Sequence, residues 1–161
     1  MKELAQPHVP AQVLAAGILQ PAGTWAGYRV GNTLPLVGQL MRRRADEDAG
    51  AFTAFTGAGA MHTGLFALTD DKLYAFDARP AGSRWRVGEQ VVVWERKDLT
   101  VETTAGKLAT KVVIGVPSTG ERYELEVTTA AHHDGVEAFL DELQRGSAGA
   151  TRQNLPVRPN R

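Results

Sequence analysis

The chain has 161 residues, 43% of them hydrophobic, with 18 Lys+Arg against 18 Asp+Glu and no cysteine. A chain of this size favours one domain, which buries roughly 68–70% of its unfolded surface and needs no staples. The balanced charge excludes the basic excess from which nucleic-acid proteins draw most of their affinity, and the missing thiols exclude disulfides, thiol catalysis and Cys-based metal sites.

Residues 1–10, interrupted by Pro7 and Pro10, read as a flexible N-terminus. The apolar stretch 13–19 is short and lacks a clear cleavage pattern, so a cytoplasmic chain is expected. No run approaches the 18 apolar residues of a membrane span. "NTLPLVGQLMRRRADEDAG" (32–50) predicts a helix over 33–49 with the stripe Leu36, Val37, Leu40 and Met41. Asn32 or Thr33 caps it, Pro35 is tolerated in its first turn, and Gly50 ends it. The pairs Arg42–Asp46, Arg43–Glu47 and Arg44–Asp48 fall at i, i+4 on that helix. Each is worth about 0.2–0.5 kcal/mol, so the run reads as a solvated face. "FTGAGAMHTG" (55–64) has neither phosphate-loop nor dinucleotide spacing and reads as a strand connection.

"GLFALTDDKLYAFDAR" (64–79) holds two apolar runs around Asp70-Asp71-Lys72, a hairpin with an acidic turn. "SRWRVG" (83–88) places Trp85 between Arg84 and Arg86 just before the β-branched run "QVVVWE" (90–95), whose Trp94 reads as core. "DLTVET" puts Leu99 and Val101 on one face, and "KLATKVVIGV" (107–116) follows the turn at Ala105-Gly106. "PSTG" (117–120) is turn chemistry, and "ERYELEVTT" (121–129) alternates with Tyr123, Leu125 and Val127 inward. Closely spaced strands with tight turns make an antiparallel meander. In "HHDGVEAFLDELQRG" Val136, Phe139, Leu140 and Leu143 line one helix face. Asp134 and Glu137 suit a capping box, and Gly146 suits a left-handed stop. Residues 146–161 read as a flexible tail, leaving one domain over 11–145.

The hairpin resembles that of bacterial pleckstrin-homology-like domains, including the GRAM-like group. In that family a strand ends in Leu-Thr, a charged turn follows, and the next strand opens with a basic residue and Leu. Leu68-Thr69, Asp70-Asp71 and Lys72-Leu73 match, and the helix with Phe139 and Leu143 fits the family's closing helix. The resemblance covers about residues 52–145. It implies a mainly β, α+β fold: a bent antiparallel barrel or sandwich capped by a C-terminal amphipathic helix. The N-terminal helical segment departs from the minimal fold, and residues 15–25 either supply the first strand or form an extra element.

Adjacent Asp70 and Asp71 diverge in a turn, whereas paired acid–base work needs convergent carboxylates. His132 and His133 point about 100° apart on a helix, His8 and His62 are isolated, and no metal set is expected. Ser83, Ser118 and Ser147 sit in turn or tail contexts without a nucleophile elbow. No catalytic residue and no cofactor are therefore assigned. The candidate binding surface is Arg79, Arg84, Trp85 and Arg86, since a Trp flanked by cations suits an anionic peptide or a headgroup interface. The commoner arrangement has Trp85 packed under its own loop with the arginines in water. The resemblance implies a non-catalytic binding module. Protein interaction ranks above anionic lipid headgroups because the loop 56–64 has no Lys or Arg. A hydrolase with a cryptic site is the remaining alternative.

Overall fold

A computed structural model describes residues 1–22, 63–107, 109–128, 135–147 and 149–153. Strands form where aliphatic, aromatic and β-branched residues run between turn residues. They are β1 (Ala15–Pro21), β2 (Gly64–Leu68), β3 (Lys72–Ala81), β4 (Arg84–Glu95), β5 (Thr100–Ala105), β6 (Ala109–Val116), β7 (Glu121–Thr128) and β8 (Gly149–Gln153). Their order in the sheet is β4-β3-β2-β1-β7-β6-β5-β8. Neighbours from β4 round to β5 are antiparallel, and β8 joins β5 in parallel. β1 serves both halves: residues 15–19 pair with β2, and Gln20 and Pro21 pair with β7. Among the described residues the sheet is not closed. Its edges among the described residues are β4 and β8.

Alternation along the strands separates two apolar clusters, because successive side chains leave a strand on opposite faces. Phe66, Leu68, Leu73 and Ala75 join Leu99, Val101, Val112, Ile114, Tyr123, Leu125 and Val127 in the main core. Leu65, Ala67, Tyr74, Phe76 and Ala78 face the other way. Helix α1 (Lys2–Ala5) and the 3-10 turn Gln6–His8 precede Val9 and Val13, and Ala5, Val9 and Val13 are buried against this second face. The Gln6 side chain fastens the segment by donating to Ala11 O (2.9 Å) and accepting from Val13 N (2.9 Å). The first ten residues, expected as a flexible end, thus cover the sheet's second face.

Helix α2 (Val136–Arg145) buries Val136, Phe139, Leu140 and Leu143, the stripe expected from the spacing. The aromatic ring of Phe139 sits so close to the backbone of β1 that a Cβ at Gly17 would lie 3.0 Å from Phe139 Cδ1. Its ends differ from the expectation. The N-cap is Gly135, at φ 81°, with no side-chain cap hydrogen bond, rather than Asp134. Gly146 is at φ −95° and ψ 0°, not left-handed. It is small for another reason: a Cβ there would run into the Arg96 guanidinium. Residues 149–153, placed in the expected tail, pair with β5 as β8. The expected helix over 33–49, with Leu36, Val37, Leu40 and Met41, lies outside the described residues, as does Asp134. No helix among the described residues is long and apolar enough to cross a membrane.

Candidate functional site

β2 begins at Gly64, opposite Asp77, so among the described residues β3 and β4 continue past it as a two-stranded arm. The arm pairs Ala78 with Val87, Arg79 with Arg86, Pro80 with Trp85 and Ala81 with Arg84. Gly82 at φ 64° and Ser83 close it, a two-residue hairpin turn that needs a left-handed glycine at its first position. A register shift near Asp77 marks the root of the arm. Strand alternation puts Arg79, Arg84 and Arg86 on one face and Trp85 on the other. Trp85 is half-buried against the cluster of Tyr74 and Phe76. The structure therefore brings the three arginines together and separates Trp85 from them.

Arg79 donates to Asp77 Oδ2 at 3.1 Å while its side chain remains 61% exposed. Arg84 and Arg86 are exposed and have no ion pair among the described residues. Arg86 stands directly across from Arg79, a like-charge cross-strand pair that costs folding stability rather than adding to it. β4 offers this face beside a strand edge that no described residue pairs.

A second constellation, missed in the sequence, centres on Arg96 in the 3-10 turn Arg96–Asp98 between β4 and β5. Arg96 is 3% exposed. Its backbone N–H donates to Asp71 O (2.8 Å), and Nη1 donates to Thr69 O (2.7 Å) and Asp70 O (3.4 Å). Nη2 donates to Glu142 O and lies 3.1 Å from Glu142 Oε1. Arg145 holds the other carboxylate oxygen of Glu142 at 2.6 Å. Arg96 thus ties the β2–β3 turn to the last turn of α2, where free carbonyls favour a cation. Nothing in "ERKDL" distinguishes Arg96 from the exposed Lys97 beside it.

Asp70 and Asp71 are exposed turn residues. The Thr69 hydroxyl donates to Asp71 Oδ1 (3.0 Å) and accepts from Lys72 N (3.1 Å), which is turn geometry. A shallow cleft of about 250 Å³ is lined by Lys97, Asp98, Leu99, Thr100, Pro117 and Ser118. His8 packs its ring on Phe76, with centroids 5.8 Å apart. Ser147 donates to Leu143 O (2.7 Å), and no described serine bonds a histidine. His62, His132 and His133 lie outside the described residues, which hold no group of three metal-capable side chains. Burial, then the Glu121 carboxylate, pushes the Tyr123 phenol up to about 12. Lys111, 2.6 Å from Glu124, holds that carboxyl below its ordinary value.

No family model, curated protein or solved structure matches the chain.

Proposed function

We propose that the chain is a pleckstrin-homology-like module that binds a protein partner and performs no chemistry of its own. The strand order supports the fold reading: a β1–β4 meander and a β5–β7 meander joined through β1, with the amphipathic helix α2 packed on the main core. Fold alone assigns no function, so the binding reading rests on the site. The observation that carries it is the arm. Arg84 and Arg86 are exposed and unpaired among the described residues on a strand whose outer edge is also unpaired. Protein docks there in preference to lipid. Trp85, the side chain suited to a membrane interface, is turned to the opposite face and half-buried, and each arginine adds only about 1 kcal/mol at an anionic surface.

The test places a photo-crosslinking residue at Gln90 on the edge strand and, as a control, at Asp141 on α2. A discrete crosslinked protein from position 90 and none from position 141 is expected. Strong pelleting with anionic vesicles at physiological salt, abolished by replacing Arg84, Trp85 and Arg86 with Ala, would put lipid first instead.

A further inference from the structure

We infer that the outer edge of β4 takes an extended acidic peptide strand, its alternate carboxylates paired with Arg84 and Arg86. The inference rests on the binding-module reading and names the partner class of the same site. Three observations carry it. β4 is 12 residues long and pairs on one side only among the described residues, so its other side presents backbone donors and acceptors to an incoming strand. Arg84 and Arg86 are two positions apart on one face, about 6.7 Å along the strand, which is the spacing of alternate side chains on an added strand. Both guanidinium groups are unpaired among the described residues, whereas Arg79 on the same face is held by Asp77.

The same charges explain selectivity. Charged side chains on an edge strand repel edges of like charge and so guard against indiscriminate pairing. Two arginines penalise a basic or apolar strand and favour one with carboxylates in register. The guanidinium fork donates two parallel hydrogen bonds to a carboxylate, a geometry that a diffuse negative surface does not reward. The exposed Glu89, further along β4, bounds the basic patch and limits the acidic stretch to a few residues.

The test uses the full chain and a dye-labelled seven-residue peptide alternating glutamate with valine, at physiological salt. The control has the same composition with its glutamates contiguous. The alternating peptide should bind on the order of tenfold tighter than the contiguous one, a difference of about 1.4 kcal/mol. Arg84→Glu with Arg86→Glu should abolish that binding, Arg84→Gln with Arg86→Gln should weaken it, and N-methylating alternate backbone amides of the peptide should remove it. Both variants change exposed side chains without described ion pairs and relieve the Arg79–Arg86 repulsion, so a urea midpoint no lower than that of the unaltered chain confirms that they fold. Equal affinity for the two peptides, or binding indifferent to the Arg84→Glu and Arg86→Glu changes, overturns the inference. So does the absence of peptide binding together with pelleting by phosphatidylserine vesicles that the same variant loses. A crosslink from Gln90 to a protein, with no preference for the alternating peptide, refutes the acidic strand and leaves the binding module standing. Loss of both refutes both.

Discussion

Replacing Arg96 with Ala tests whether one buried cation holds the helix to the hairpin. Arg96 is 3% exposed, and its guanidinium serves Thr69 O at 2.7 Å, Asp70 O at 3.4 Å, Glu142 O, and Glu142 Oε1 at 3.1 Å. Breaking a buried ion pair by removing one partner costs about 3–5 kcal/mol, and each orphaned carbonyl about 1–3 kcal/mol. Two features lower the total. The Glu142 side chain is 18% exposed, and Arg145 still pairs with it at 2.6 Å. Arg96→Ala should therefore lose about 2–4 kcal/mol in urea denaturation. Arg96→Lys keeps the charge but cannot span three carbonyls and a carboxylate, and should lose about half as much. Glu142→Ala should cost less than Arg96→Ala, because the three carbonyl contacts of Nη1 and Nη2 survive. Amide exchange should accelerate in the Arg96→Ala variant at residues 69–72 and in the last turn of α2. A loss below about 1 kcal/mol, with exchange unchanged at both places, would refute the reasoning.

Phe139→Ala should cost about 3–5 kcal/mol by the same assay, since Phe139 is wholly buried in the main core. Gly17→Val should also destabilise, by about 1–3 kcal/mol, because its side chain meets the Phe139 ring. The Tyr123 phenol is raised to about 12. The unfolded chain gives up that proton near pH 10 while the folded one keeps it, so the contribution is full below pH 10 and is lost as pH rises toward 12. The rise from about 10 to about 12 corresponds to at most about 3 kcal/mol, and Tyr123→Phe should flatten the alkaline limb of stability against pH by that amount.

The strands, their turns and the buried face of α2 were legible because each is written in a local pattern. Tyr123, Leu125 and Val127 alternate, and Val136, Phe139, Leu140 and Leu143 recur at helical spacing, so burial of one face follows from period alone. The N-terminal cover was not legible. Pro7 and Pro10 suggest a loose end, and Ala5, Val9 and Val13 become a buried set only once β1–β4 supplies a second apolar face. β8 was hidden for a similar reason, because "GATRQ" has no apolar alternation and pairs through its backbone with β5. Arg96 was invisible because the partners of its guanidinium lie 26 to 46 residues away in sequence. Of the candidate surface, the residues were legible and their grouping was not. Whether Trp85 shares a face with Arg84 and Arg86 depends on β4 starting at Arg84, six residues before the run "QVVVWE" at 90–95.

The most direct test of a strand-binding edge is amide hydrogen exchange of the full chain with and without the alternating glutamate–valine peptide. Along an edge strand, every second N–H points outward and bonds only to solvent. On adding the peptide, the account predicts new protection at alternate residues of β4, centred on the arm with Arg84 and Arg86, and none in α2 or β6. Protection confined to the cleft at residues 97–100, or unchanged exchange throughout β4 while the peptide is bound, would contradict it.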